Sequence, residues 1–115
     1  MKPKLSIISA IKYGSKYVED NILSIINQSY TNFEYIIVDG GCIDDSIEKI
    51  LAFNDSRIKI IKKNDKHTYM AYSHGLSIAK GDLIIITTIT DGFIDRNWFA
   101  KCVNVYCFPI SWCIC

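Results

Sequence analysis

The sequence has little proline, little net charge and no long apolar run. Only two of its 115 residues are proline, and the formal net charge at pH 7 is +1. Since half of the residues are hydrophobic, this composition excludes a disordered tail, a collagen-like chain and a low-complexity linker. The small net charge provides no strong attraction to nucleic acid or to an anionic membrane. We expect one modest folded domain that does not bind nucleic acid.

Segments that would carry the chain into or across a membrane are also missing. The most apolar run, Leu83 to Ile89, is far shorter than the ~20 residues that span a bilayer. The apolar stretch from Leu5 to Ile11 contains two serines and is too short for the core of a signal peptide. We therefore expect a cytoplasmic protein without a membrane span.

The cysteines do not form a disulfide or zinc framework. There are five, and four of them lie in the last fourteen residues. An odd number without a secretory signal argues against a set of disulfides, and the spacing lacks the paired C-x2-C units of a zinc site. We expect free thiols and an apolar, cysteine-rich tail over 107–115, after a domain that covers 1–106.

Apolar segments alternate with amphipathic ones along the chain. Strands are predicted at 4–10, 33–38, 58–61 and 83–89, and helices at 16–28, after a cap at 44–46, at 68–79 and at 96–105. This alternation predicts an α/β fold, a Rossmann-like and mainly parallel sheet with helices on both faces. The absence of G-x-G-x-x-G, of a P-loop and of G-x-S-x-G argues against NAD binding, ATP hydrolysis and serine hydrolase chemistry.

Polar or small residues end several of the predicted strands. Ser9 and Ala10 end the first, Asp39 ends the second and is followed by Gly40, and Asp91 follows the fourth. Ligands of open parallel sheets bind beyond the carboxyl ends of the strands, so we expect both carboxylates at one edge. There they would accept hydrogen bonds from a nucleoside or hold Mg²⁺ or Mn²⁺ together with substrate phosphates. The alternative is that both Asp-Gly pairs only form turns.

Three longer segments match a known pattern in their order and spacing. They are Ser6-Ile-Ile-Ser-Ala10, Asn27-Gln-Ser-Tyr30 and Phe33-Glu-Tyr-Ile-Ile-Val-Asp-Gly-Gly41. They resemble the opening of family 2 glycosyltransferases, which have the A-type (GT-A) fold, and the match extends over roughly residues 4–100. The resemblance implies the N-terminal, nucleotide-binding half of a GT-A fold, truncated relative to the family's catalytic domain.

The resemblance also implies a function. Family members transfer a sugar from a nucleotide-sugar, often a UDP-sugar, to an acceptor hydroxyl with the help of Mn²⁺ or Mg²⁺. The resemblance implies that the donor is bound by Ser9, Ala10, Asp39, Gly40 and Asp91, and that Asp91 also binds the metal. Thr90 precedes Asp91 at a position where the family has a further aspartate. No residue matches the family's catalytic base, and the acceptor class (glycan, lipid or protein) is not indicated. Cys42, where the family has serine, is interpreted as a tolerated small residue.

Two other interpretations stay open at this point. One is a catalytically inactive nucleotide-binding or interaction module derived from a truncated glycosyltransferase. The other is an unrelated doubly wound domain, such as a receiver domain, for which Asn64-Asp65 would be a poor phosphoacceptor site. Because a short sheet leaves apolar surface exposed, we also expect the chain to self-associate.

Overall fold

Strands and helices alternate along the whole described chain. A computed structural model describes residues 3–63, 68–89 and 92–106. The elements are β1 (Leu5–Ile11), α1 (Val18–Ile26), β2 (Phe33–Asp39), α2 (Ser46–Ala52), β3 (Ile58–Lys62), α3 (Thr68–Ile78), β4 (Leu83–Ile86) and α4 (Trp98–Tyr106). The strands form a parallel sheet in the order β3-β2-β1-β4. The predicted α/β class is confirmed. None of the helices in these ranges is both long and apolar enough to span a membrane.

The two faces of the sheet are covered by different helices. Ile7 and Ile37 belong to a core that residues of α1, α2 and α4 complete, among them the fully buried Phe99. Ile8, which lies next to Ile7 in the chain, points to the opposite face and packs near Ala71 of α3. Helices therefore lie on both faces, as the sequence predicted.

The helix α3 approaches β1 closely at Gly75. A Cβ atom added to Gly75 would lie 2.5 Å from Cγ2 of Ile8, which is far inside van der Waals contact. A residue without a side chain is therefore needed at this crossing, where helix and strand backbones come together.

The strand β4 ends earlier than predicted. It reaches Ile86, not Ile89, and pairs with β1 only as far as Ile8. The N–H of Thr87 still donates to the carbonyl oxygen of Ile8 at 3.0 Å. The carbonyl oxygen of Thr87, however, accepts hydrogen bonds from the hydroxyls of Ser9 and Tyr72, at 3.2 and 2.9 Å. Side-chain hydrogen bonds thus replace the strand ladder, and the prediction of a strand beyond Ile86 is wrong.

Two helices also begin later than predicted, because turns precede them. The N–H groups of Tyr17 and Val18 both donate to the carbonyl oxygen of Gly14, at 2.9 and 2.8 Å, so α1 does not begin at Lys16. Asp95 accepts the N–H of Asn97 on its side chain at 2.9 Å, which places the start of α4 after this turn instead of at residue 96.

A buried carboxylate joins β2 to the turn that follows α3. Glu34 is 1% exposed. Its Oε2 accepts hydrogen bonds from Ser6 Oγ at 2.5 Å and from the N–H of Lys80 at 2.6 Å, and its Oε1 accepts one from Lys59 Nζ at 2.9 Å. Ser6 Oγ in turn accepts the N–H of Gly81 at 2.8 Å. Burial alone would raise the pKa of Glu34, but these hydrogen bonds and the Lys59 charge lower it to about 2.

We expect the substitution Glu34→Gln to lower the free energy of unfolding near neutral pH by roughly 3 kcal/mol, because the pKa of Glu34 is so strongly lowered by folding. The folded pKa lies below the unfolded one. The stabilisation is therefore complete above about pH 4.5 and is lost as the pH falls towards 2. Urea unfolding at several pH values should show the gap between native protein and variant closing on acidification.

The matched control for this experiment is Glu48→Gln, at an exposed position in the first turn of α2. It should change stability little at any pH. An effect of Glu34→Gln that is as small as that of the control would contradict the assigned role of Glu34.

Candidate functional site

The carboxyl ends of β1 and β2 form the edge at which the sequence predicts ligand binding. Ile11 pairs with Asp39 in the sheet, and Ala10 pairs with Val38. The N–H of Gly40 donates to the carbonyl oxygen of Ile11 at 2.8 Å, which ties the two strand ends together. The structure therefore brings Ala10, Asp39 and Gly40 to one place, as predicted.

The carboxylate of Asp39 is buried and yet favours its charged form. Asp39 is 5% exposed, and its Oδ1 accepts the N–H groups of Gly41 at 2.9 Å and Cys42 at 2.8 Å. Burial would raise the pKa of Asp39, but these bonds, the Cys42 thiol and the charge of Lys62 together hold it below its ordinary value. Gly41 has a φ of 102°, a conformation that favours glycine, so the turn that supplies these donors depends on that residue.

A second carboxylate, Asp44, fixes the loops that border this edge. Its Oδ2 accepts the N–H groups of Gly14 and Ser15, both at 3.3 Å. Its Oδ1 accepts the N–H of Ser46 at 3.1 Å and the Ser46 hydroxyl. These hydrogen bonds lower the pKa of Asp44, and the bond from the Ser46 hydroxyl has the largest effect. The loop after β1 is therefore joined to the start of α2. Asp45, at the N-cap of α2, makes no side-chain capping bond, and it is the carboxylate of Asp44 that accepts the N–H of Ser46, the first residue of the helix.

The thiol of Cys42 lies between these acidic groups. Cys42 is free and half-buried. Burial, the hydrogen bond to Asp39, and the negative charges of Asp39 and Asp44 raise the pKa of Cys42 to about 12. A thiol in this environment stays protonated, in keeping with the interpretation of Cys42 as a small residue and not a nucleophile.

The hydroxyl of Ser9 does not face the ligand edge. It is fully buried and lies 2.9 Å from the hydroxyl of Tyr35 and 3.2 Å from the carbonyl oxygen of Thr87. Tyr35 donates to Asn21 Oδ1 at 2.6 Å, and Asn21 Nδ2 donates to the carbonyl oxygen of Thr88 at 3.3 Å. This buried network connects α1 and the two central strands to the residues after β4. A contact between Ser9 and a ligand would have to use its backbone.

Sequence reasoning did not single out the other members of the buried network. Asn21 lies on the buried face of α1, three residues after Val18 and four before Ile25. A polar residue inside this apolar stripe was the available signal. Tyr35 gave no such signal, because an aromatic residue is ordinary in a strand and its hydrogen-bonding partner comes from a helix. Burial raises the pKa of Tyr35 well above its ordinary value, so the hydroxyl remains a donor.

The predicted metal ligand cannot be placed in the same way. Asp91 and Thr90 lie outside the described residues, as do Asn64 and Asp65 and the cysteine-rich tail. Among the residues that the structure does describe, no three His, Cys, Asp or Glu side chains form a group that would hold a metal. Ile89 is buried in the core. The carbonyl oxygens of Thr87 and Thr88 accept hydrogen bonds from Ser9 Oγ and Asn21 Nδ2. The chain leading to Asp91 is therefore anchored, and the role of Asp91 stays a prediction.

Comparison with known proteins assigns the chain to a family. The sequence model described as glycosyl transferase family 2 matches residues 6–110, so the chain belongs to that family. An uncharacterized glycosyltransferase of Haemophilus influenzae is 35% identical over 105 residues, which cover 89% of this chain and 42% of the relative. Glycosyltransferase GlyG of Streptococcus pneumoniae is 33% identical over 100 residues, which cover 84% and 33%. The chain spans less than half the length of these relatives, and its membership excludes the receiver domain.

Solved structures share the fold at low sequence identity. The mannosyltransferase PcManGT from Pyrobaculum calidifontis, in complex with GDP-Man and Mn²⁺, matches with a TM-score of 0.85 and 18% identity over 95% of this chain and 34% of that chain. S. aureus TarS 1-349 in complex with UDP-GlcNAc matches with a TM-score of 0.83 and 18% identity over 90% and 31%. The expected similarity to GT-A glycosyltransferases is thereby confirmed for the fold.

The buried network below the edge predicts the effect of removing the Tyr35 hydroxyl. We expect Tyr35→Phe to lower the free energy of unfolding by about 1–3 kcal/mol, because Asn21 Oδ1 and Ser9 Oγ lose a buried partner. Hydrogen exchange at residues 87–89 should also become faster. Tyr17→Phe, at a site that is 44% exposed, is the control. If Tyr35→Phe lowers the free energy of unfolding no more than this control does, the network does not stabilise the fold.

The acidic surroundings of Cys42 predict slow alkylation. Because the thiolate is the reacting form, we expect Cys42 to react with iodoacetamide at an appreciable rate only above about pH 10, as follows from its raised pKa. Asp39→Asn removes a charge that raises this pKa and should accelerate the reaction. Peptide mass spectrometry separates Cys42 from the other cysteines. Equal rates in the native protein and the variant would contradict the proposed influence of Asp39.

Proposed function

We propose that this chain binds a nucleotide-sugar donor, a UDP-sugar, at the edge formed by Ala10, Asp39 and Gly40, as the donor-binding part of a hexosyltransferase. The observation that carries the proposal is the ionised, preoriented carboxylate of Asp39 at the end of β2, in a chain that belongs to family 2. A carboxylate accepts hydrogen bonds from a base N–H or a ribose hydroxyl, and charged acceptors form the stronger bonds. Both backbone bonds go to Oδ1, so Oδ2 has no backbone donor within the described residues.

The small residues at this edge support a ligand that comes close to the backbone. A Cβ atom added to Gly40 would meet only ordinary contacts, with the carbonyl oxygen of Ile11 at 3.5 Å and Cβ of Lys12 at 4.0 Å. The fold itself therefore does not require glycine here, unlike at Gly75. We assign the absence of a side chain at Gly40, and the small one at Ala10, to space for the donor, with Ser9 contributing through its backbone.

A divalent cation, Mn²⁺ or Mg²⁺, belongs to the same proposal. Asp91 would hold it, since a carboxylate is the hard oxygen ligand that these ions prefer, and phosphate oxygens of the donor would complete the coordination. When bound, the cation would neutralise charge on the departing nucleoside diphosphate. The anchoring of residues 87–89 by the buried network supports a defined position for the chain that leads to Asp91.

A second candidate function is a nucleotide-binding module without transfer activity. One observation favours it: Thr90 stands where the family has a further aspartate. The two candidates predict the same donor binding and differ only in turnover, so one set of measurements separates them.

Calorimetric titration with UDP, a UDP-sugar and GDP-mannose, with and without Mn²⁺, tests the donor site. We expect UDP to bind, and more tightly with Mn²⁺. Asp39→Asn should weaken binding roughly tenfold or more with or without the metal, because it removes a charged acceptor. Asp91→Asn should weaken binding only when Mn²⁺ is present. Asp20→Asn, at an exposed position of α1, should have no effect.

Turnover is then measured as release of UDP from the UDP-sugar. Donor binding followed by hydrolysis or transfer supports the transferase, and binding without turnover supports the inactive module. If no nucleoside diphosphate binds, and the variants of Asp39 and Asp91 behave like the native protein, both candidate functions are wrong.

A further inference from the structure

The segment that follows β2 is tied at both of its ends to the segment that follows β1. At the near end, the N–H of Gly40 donates to the carbonyl oxygen of Ile11 at 2.8 Å. At the far end, Asp44 Oδ2 accepts the N–H groups of Gly14 and Ser15, both at 3.3 Å. These two segments are therefore held side by side, and together they border the candidate donor edge.

The carboxylate of Asp39 is oriented by the middle of the segment after β2. Its Oδ1 accepts the N–H groups of Gly41 at 2.9 Å and Cys42 at 2.8 Å. Both donors belong to a tight turn, in which Gly41 has a φ of 102°, and both bonds require that this turn keeps its shape. Asp44 lies two residues after Cys42 and fixes the far end of the turn. The backbone of the turn thus connects the two carboxylates.

The loop after β1 offers Asp44 a firm support. A Cβ atom added to Gly14 would lie only 3.0 Å from Cγ2 of the buried Ile89, so this loop packs closely on the core. Lys49 Nζ, from α2, donates to the carbonyl oxygen of Ser15 at 2.7 Å. Asp44 is therefore attached to a loop that the core and α2 hold in place.

We propose that Asp44 is a positioning residue of the donor site, which holds the turn after β2 so that Asp39 keeps its binding orientation. The inference rests on the proposed donor site, because Asp44 acts on the ligand only through Asp39. Asp44 Oδ2 binds the loop after β1, while Oδ1 accepts the N–H of Ser46 at 3.1 Å and the Ser46 hydroxyl. Only a carboxylate can serve both sides, because an amide has a single acceptor oxygen.

The substitution Asp44→Asn tests the proposal in calorimetric titration with UDP. One side of the new amide presents N–H donors to N–H donors, so the link between the loops breaks. We expect UDP to bind roughly fivefold or more weakly. Loss of a negative charge by itself would favour the anionic ligand, so a weaker affinity cannot come from the charge change.

Asp45→Asn is the matched control, since it removes the same charge at the next residue. It keeps an acceptor oxygen for the Ser15 hydroxyl, which donates to Asp45 in the native chain. We expect this variant to bind UDP as tightly as the native chain or slightly more tightly. If Asp44→Asn behaves like Asp45→Asn while the native chain binds UDP, the proposal is overturned.

A double-mutant cycle with Asp39→Asn distinguishes positioning from a general loss of structure. Because Asp44 acts through Asp39, Asp44→Asn should weaken UDP binding little further once Asp39 is replaced. Losses that multiply in the double variant would contradict this route.

Hydrogen exchange gives a readout that does not depend on the ligand. The amides of Gly41 and Cys42 should exchange faster in Asp44→Asn and not in Asp45→Asn, because they donate to Asp39 within the turn. The amides of β2 and the circular dichroism should stay unchanged. If the Asn variant does not fold, Asp44→Ser replaces it, since serine still caps α2 but is too short to reach Gly14.

Failure of this proposal can be told apart from failure of the proposed function. If the native chain binds no UDP, the donor site is wrong, and the exchange rates still decide whether Asp44 holds the turn around Asp39. Unchanged exchange at both Gly41 and Cys42 would overturn the role of Asp44, whether or not UDP binds.

Discussion

The pairing of β1 with β2 is the constraint on which the rest of the structure depends. Its register runs from Leu5 opposite Phe33 to Ile11 opposite Asp39, and both strands are almost completely buried. Because side chains alternate along a strand, a shift by one residue would exchange the two faces of the sheet. The register thus decides which residues meet α3, which meet the other helices, and which carboxylate lies at each end.

The two ends of this strand pair carry polar groups with different consequences. At the amino end, Glu34 accepts hydrogen bonds from a serine of β1, from a backbone N–H of the turn after α3 and from a lysine, so its charge is balanced within the fold. At the carboxyl end, Asp39 takes two backbone donors on a single oxygen. Buried polar groups are costly unless they are hydrogen-bonded. Glu34 meets that requirement with partners from three parts of the fold, whereas the backbone partners of Asp39 all come from the turn that directly follows it.

Much of the architecture could be predicted, and the errors have physical causes. The alternation of strands and helices and the position of Asp39 followed from periodicity and from the ends of apolar runs. The strand β4 was predicted too long because Thr87 to Ile89 look equally suited to a strand. The ladder ends after the N–H of Thr87, where the hydroxyls of Ser9 and Tyr72 donate to the Thr87 carbonyl oxygen. The predicted contact of Ser9 with a ligand stays a prediction, and because its hydroxyl is directed into the core, such a contact would use the backbone.

The sequence by itself determined the fold class, the family and the residues available at the sheet edge, because these depend on local periodicity and on motifs of adjacent residues. Only the tertiary structure decided how each polar group is used. Ser9 meets Tyr35 across 26 positions of sequence and Thr87 across 78, and Glu34 meets Lys80 across 46. Such partners are brought together by strand register and helix packing, so no local pattern distinguishes a buried structural hydroxyl or carboxylate from one that awaits a ligand.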